Sequence, residues 1–204
     1  MKVAILGGTG KFGRALATRL VEAGDEVVIG SRDEERARQV AGELGARGER
    51  NEVAAAAGEL VVFAVPAAWA IRTAQELGSM LNAPVLSVAA ELDFAGGTAR
   101  PPLTAKSVAE GISEAVTVPV AAGLHTIAAM RLAKGRPDED AFVCGNDEEA
   151  KAIALELAGR VVAGRALDAG PLETARALEA LTAVLLNLNR SHKTHTGLRV
   201  TGLS

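Results

Sequence analysis

Short apolar runs of strand length alternate with longer segments in which apolar residues recur every three or four positions. Such alternation predicts βαβ units around a mostly parallel sheet. A first strand is expected over residues 3–6, then a glycine loop and a helix over 12–23 that stops at Gly24. A second strand, 26–29, leads into Ser31-Arg32-Asp33-Glu34, in which Ser31 and Glu34 read as a capping box for a helix reaching residue 44. Residues 60–65 form an unbroken apolar strand of the kind buried on both sides, closed by Pro66. Helices are expected over 69–81 and 107–115, strands over 85–88 and 117–122. The polar stretch 47–52 reads as a loop with a short strand contribution too weak to assign, and the stretch 89–104, with its paired glycines and paired prolines, as a loop long enough to serve as a lid. A short helix over 127–133, a strand over 141–144, a helix capped by Asn146 or Asp147 and running to 162, a strand over 166–168 and a long apolar helix from Gly170-Pro171 to 188 complete the pattern. The fold class is α/β: a Rossmann-type doubly wound, mostly parallel sheet with a C-terminal helical extension.

Composition narrows the range of partners. A chain of 204 residues, 49% hydrophobic, builds one well-buried core and is short for two domains. Its net charge of −3 is spread over both signs with no basic stripe, and with no tyrosine and one tryptophan it lacks a stacking platform, so nucleic acid is not expected as a partner. The single cysteine, Cys144, lies in an apolar run and reads as a small buried side chain in a reducing compartment. The N-terminus has no cleavable signal pattern, and no apolar run reaches the roughly 18 residues of a membrane span. A cytoplasmic protein is expected.

The strongest chemical signal is Gly7-Gly8-Thr9-Gly10-Lys11-Phe12-Gly13 between the first strand and first helix. Gly8-x-Gly10-x-x-Gly13 matches the dinucleotide fingerprint in its required setting: a tight turn, a backbone that can approach a pyrophosphate, and close helix–strand packing at the positive end of a helix. The candidate contacts here are Gly8, Thr9, Gly10, Lys11, Phe12 and Gly13, joined by Val65 and Pro66 at a neighbouring strand end. Where NAD sites carry an acid after the second strand, this chain has Ser31 and Arg32, with Arg36 a helical turn on. A hydroxyl and two guanidiniums suit the 2′-phosphate of NADP. Asp33 argues the other way if the strand runs two residues longer, and the arginines have Glu34 and Glu35 as alternative partners.

The reaction is narrowed by absence. Short-chain dehydrogenases share the loop but donate a proton from tyrosine, which this chain lacks; His192 and His195 have no neighbours that would complete a metal site, so no metal is expected. A hydride partner that is itself a cofactor needs positioning more than a protein acid. At this point the sequence resembles the NADPH-dependent reductases of coenzyme F420, or F420H2:NADP oxidoreductases, over nearly its whole length. The markers are Ala4-Ile5-Leu6-Gly7-Gly8-Thr9-Gly10, Ile29-Gly30-Ser31-Arg32, Gly123-Leu124-His125-Thr126, Val143-Cys144-Gly145-Asn146-Asp147-Glu148, and Leu167-Asp168-Ala169-Gly170-Pro171-Leu172 followed by Arg176 and Glu179-Ala180-Leu181-Thr182. The resemblance implies NADP(H) and coenzyme F420 as cofactors, NADP contacts at Thr9, Ser31, Arg32 and Arg36, and a deazaflavin side at His125, Arg176 and Thr182. One compact unit over 1–204 is expected, with 1–122 the dinucleotide core and 123–204 completing the deazaflavin cleft, and the last helix, 173–188, carries Leu178, Leu181, Leu185, Leu186 and Leu188, an apolar surface wide enough to predict a homodimer interface. Ser87 to Leu92 and Ala180 depart from relatives that carry proline and serine there. An ordinary flavin as electron partner, or a non-catalytic NADP sensor, stays open. Taken alone, His125 reads as a helix cap, Arg176 as a partner of Glu173 or Glu179, and Thr182 as bonded to its own helical turn.

Overall fold

The computed structural model describes residues 1–203. In chain order the strands are β1 (Lys2–Leu6), β2 (Glu26–Ser31), β3 (Arg47–Arg50), β4 (Leu60–Phe63), β5 (Val85–Ser87), β6 (Asp93–Ala95), β7 (Thr98–Arg100), β8 (Val120–Gly123), β9 (Ala141–Gly145) and β10 (Ala166–Asp168). The helices are α1 (Lys11–Glu22), α2 (Glu34–Leu44), α3 (Asn51–Ala55), α4 (Ala67–Leu77), α5 (Val108–Ser113), α6 (Ala129–Leu132), α7 (Glu148–Val161) and α8 (Ala175–His192). Among the described residues one sheet has the order β10-β9-β8-β5-β4-β1-β2-β3, every neighbouring pair parallel except β8 with β9. From β1 the chain winds outward through β2 and β3, then crosses to β4 on the other side. The switch point therefore lies between β1 and β4, where open α/β sheets bind ligands.

The strands are apolar on both faces because both faces are covered. Val3, Ile5, Val27, Ile29, Leu60 and Val62 pack on one side with α1, α2 and α7. Ala4, Leu6, Val28, Val61 and Phe63 pack on the other with α3, α4, α5 and α8. Cys144 is fully buried, and loss of solvation pushes its thiol up to about 12, so it is an unreactive core side chain. Among the described residues no helix is long and apolar enough to cross a membrane.

Three local expectations are corrected. The strand β2 runs to Ser31, held there by pairing with Arg50 of β3, so the helix starts later and its cap is Asp33, whose carboxylate accepts from Arg36 N at 3.1 Å. Ser31 Oγ accepts from Asp33 N at 3.2 Å and caps nothing. The polar stretch 47–52, expected as a loop with a weak strand contribution, supplies a full edge strand and the start of α3. The segment 89–104 contains the hairpin β6–β7, turned by Gly96 and Gly97 at φ of 58° and 75°.

After α8 the described chain runs without regular structure, and Asp140 is the buried carboxylate among the groups that hold it. Asp140, fully buried, accepts from Arg165 Nη2 at 2.7 Å and from Val200 N at 2.8 Å, and the Arg165 hydrogen bond, more than any other contact, holds its carboxyl far below the usual range. A depressed carboxylate stabilises the fold above its unfolded pKa, and this contribution fades as pH falls towards the folded value. Asp140→Ala should lower the thermal midpoint at neutral pH by roughly 5 °C, and the gap should narrow in strong acid. An unchanged midpoint at neutral pH would remove Asp140 as the anchor.

Candidate functional site

The chain makes its sharpest turn where β1 meets α1. Gly7 takes φ +80°, and a Cβ there would stand 2.6 Å from Ala64 O, so the loops after β1 and β4 touch through bare backbone. Gly8 and Gly13 lie behind this turn and do not line the cleft it opens. A Cβ on Gly13 would stand 2.6 Å from Gly7 O, which is why α1 can lie so close to the strand end. Gly10 leads into α1 with no side-chain cap and no acid in the first turn, leaving the helix's positive end open.

In front of this helix end is a cleft of about 710 Å³ at the switch point. Thr9, Gly10, Lys11 and Phe12 line it from the glycine loop, Ser31, Arg32 and Arg36 from the end of β2, and Val65 and Pro66 from the end of β4. Glu34 is spent on Arg38, and among the described residues neither Arg32 nor Arg36 meets a carboxylate. Two free guanidiniums beside a hydroxyl make a dianion site. Asp33 also borders the cleft, but one of its oxygens is occupied in capping α2. Asn51, at the start of α3, was not singled out by sequence: it lines the cleft, is 8% exposed, and its Oδ1 has no partner. No composition or spacing signal marks it, because what matters is its burial.

A second cavity of about 360 Å³ adjoins the first, the two sharing Phe12, Val88 and Ala90. Leu124, at the end of β8, is buried with φ 63°, a strained backbone for a branched residue, and it delivers His125 into this cavity. His125 caps no helix; α6 begins at Ala129. Neither ring nitrogen has a hydrogen-bond partner, and neither does the buried Oγ1 of Thr126 beside it. Burial lowers the His125 pKa to about 4, weakly opposed by the nearby Ala89 carbonyl, so the imidazole is neutral at physiological pH and offers one donor and one acceptor. Buried polar atoms left unpaired around an apolar cavity are free to pair with a ligand or an ordered water. Thr182 Oγ1 donates to His125 O at 3.0 Å, not to its own helical turn, and so ties α8 to the loop that carries the imidazole.

Arg176 does not join His125 and Thr182. It stands six residues before Thr182 on α8, about 120° round the helix, faces a separate hollow and donates to Ala105 O at 3.2 Å. Glu179 borders the same hollow; it accepts from Val108 N at 2.9 Å, and burial pushes its carboxyl up to about 7.

Residues 2–91 match the family of coenzyme F420-dependent NADP oxidoreductases. The F420-dependent NADP reductase of Methanocaldococcus jannaschii is 35% identical, aligned over all of this chain and 99% of its own length. The enzyme of the same name from Methanothermobacter thermautotrophicus is 34% identical, over all of this chain and 96% of its own. A solved structure from Arthrobacter sp. FB24, assigned as an F420-dependent NADP reductase, superposes with a TM-score of 0.86 at 30% identity, covering 98% of this chain and 99% of the other.

Proposed function

Because the chain belongs to the coenzyme F420-dependent NADP oxidoreductases, we propose that its two adjoining cavities divide that family's reaction, NADP(H) in the cleft at the switch point and the deazaflavin in the cavity under His125. The enzyme transfers hydride between NADP(H) and coenzyme F420, and the carbons that exchange it belong to the two substrates. The protein's task is to bind, orient and exclude water. The observation carrying the assignment is the shared wall: Phe12, Val88 and Ala90 border both spaces, and none of them titrates, so two rings can meet there with no acid or base between them.

In this reading the open end of α1 takes the pyrophosphate through backbone N–H groups and the helix dipole. Ser31, Arg32 and Arg36 take the 2′-phosphate, while Val65 and Pro66 support the nicotinamide half at the strand edge. Neutral His125 and Thr126 pair with polar edges of the deazaflavin, and Thr182 aims His125 by holding its carbonyl. Arg176 is left out of the ring site. Residues 1–122 hold the nucleotide and residues 123–204 complete the deazaflavin side. The decisive experiment uses NADPH carrying deuterium at the transferred C4 position: the label should appear in the reduced deazaflavin in ordinary water. Loss of the label to solvent, or reduction of flavins with no deazaflavin reduced, would overturn the reading.

The assembly we infer is a homodimer. Of the leucines on α8, Leu178 and Leu185 are consumed inside the chain, but Val184 and Leu188, four residues apart, stay 52% and 40% exposed, with Phe94 of the hairpin 70% exposed. Such a stripe is the usual mark of a partner helix. Light scattering at micromolar concentration should give twice the chain's 20.9 kDa, and Val184→Glu with Leu188→Glu should halve it. A wild-type monomer would refute the dimer.

A further inference from the structure

Past β5 the chain loses regular structure, and residues 88–92 carry it to the hairpin. This segment bears on the reaction because Val88 and Ala90 belong to the wall common to both cavities. Its main chain is thinly held. Val88 N donates to Phe63 O at 3.3 Å, and among the described residues 89–92 make no bond to other backbone groups. Two buried side chains stand in for the missing ladder: His125 faces the Ala89 carbonyl, and Glu179 of α8 faces the Glu91 N–H. Glu179 is 5% exposed. Its Oε1 also accepts from Val108 N at 2.9 Å and Ala109 N at 3.4 Å, two N–H groups at the start of α5 that the Ser107 cap, occupied with Glu110 N, leaves free. One carboxylate thus joins three elements: α8, the first turn of α5, and the segment that forms the wall.

We propose that Glu179 is a positioning residue for hydride transfer: by gripping the Glu91 N–H and the first turn of α5 at once, its carboxylate holds Val88 and Ala90 where the two rings meet. This rests on the rings meeting at that wall, as proposed above. Charge is essential to the grip. A carboxylate accepts through both oxygens, whereas a protonated acid or an amide accepts well through one and turns a donor towards an N–H. Around Glu179 stand Glu91, Lys106, Glu110, Glu173 and Arg176, with the Cys144 thiol further inside. None of the cations pairs with it: Lys106 is spent on Glu114, and Arg176 on Ala105 O. Burial, joined by the charge of Glu91, therefore raises the carboxyl to about 7 against the pull of the N–H groups. Its folded value lies above its unfolded one, so the fold loses stability as pH rises through neutrality and the grip forms. His125, lowered to about 4, and Cys144, raised to about 12, keep one charge state over that range.

The test is single-turnover hydride transfer between NADPH and coenzyme F420, both saturating, followed across neutral pH in the wild type and in Glu179→Gln, which keeps the shape and removes the charge. The wild-type rate should climb as pH rises through about 7 and level off above it. In Glu179→Gln that step should vanish, and on the plateau the rate should fall roughly tenfold, within what misalignment of reacting atoms costs, while both dissociation constants move less than about twofold. Ionisations of the substrates appear in both proteins and cancel in the comparison. The melting midpoint on the plateau should stay within about 4 °C of the wild type, because the bond lost is offset by the buried charge removed. A glutamine variant with the wild-type rate, one that keeps the step near neutrality, or one whose rate falls only in proportion to its folded fraction would overturn the role. Ala90→Leu separates this failure from failure of the shared wall. If that bulk leaves the rate unchanged, the rings meet elsewhere and both proposals fall; if it slows transfer while Glu179→Gln does not, the grip of Glu179 alone is refuted.

Discussion

Gly13→Val should weaken NADPH binding about a hundredfold, while Gly42→Ala on the next helix should leave binding untouched. A Cβ at position 13 would stand 2.6 Å from Gly7 O and 2.8 Å from Gly8 Cα, both backbone atoms of the turn that faces the cleft. No rotamer relieves a clash with backbone, so α1 must move away from β1 or the turn must open. Overpacking of this kind costs about 1–3 kcal/mol in cores, and here the displaced element is the helix whose N–H groups face the phosphates. Gly42 has nothing within 4 Å of its would-be Cβ, so alanine there should be neutral or stabilise α2 by up to about 1 kcal/mol. Calorimetric titration with NADPH and a melting curve for each variant separate the two effects. A Gly13→Val protein that binds NADPH like the wild type would show that close helix–strand approach is not what makes the site.

The glycine loop was legible because three kinds of signal coincide there: a strand-length apolar run, a glycine spacing, and the onset of a helical period. Where only one signal exists the sequence misleads. β3 reads Arg-Gly-Glu-Arg, with no apolar alternation, and is a strand only because β2 offers it an edge. The Gly96-Gly97 pair is a hairpin signal in itself, but its flanks carry one large apolar residue, Phe94, too little to mark two strands. Ser31 and Asp33 both qualify as caps, and what selects Asp33 is a cross-strand partner 19 residues away, Arg50 opposite Ser31. Within the site, His125 and Thr182 were reached through family resemblance, and the bond between them could not have been read from a spacing of 57 residues. The separation of Arg176 from Thr182 was within reach, since six positions on a helix never share a face. Asn51 carries no signal at all and Thr126 only its place in a family marker, because an unpaired buried oxygen is a fact of packing.

The choice of nucleotide hangs on the same two-residue extension of β2. That extension is the condition under which Asp33 would serve the ribose of NAD, but it does not leave the carboxylate free. Instead Asp33 accepts from Arg36 N, Ser31 keeps its hydroxyl proton available, and Arg32 and Arg36 stand without acidic partners among the described residues. Arg32→Ala should therefore weaken NADPH binding by roughly 10- to 100-fold, the scale of one charged hydrogen-bonding contact of about 1.5–3 kcal/mol, with NADH binding nearly unchanged. Asp33→Ala should behave differently: it removes a helix cap, costs about 1 kcal/mol of stability, and shifts both nucleotides by the same factor. Added salt should erode the NADPH preference of the wild type and have little left to erode in Arg32→Ala. If Arg32→Ala instead weakens NADPH and NADH equally, the guanidinium serves the adenosine they share, and the 2′-phosphate is read elsewhere.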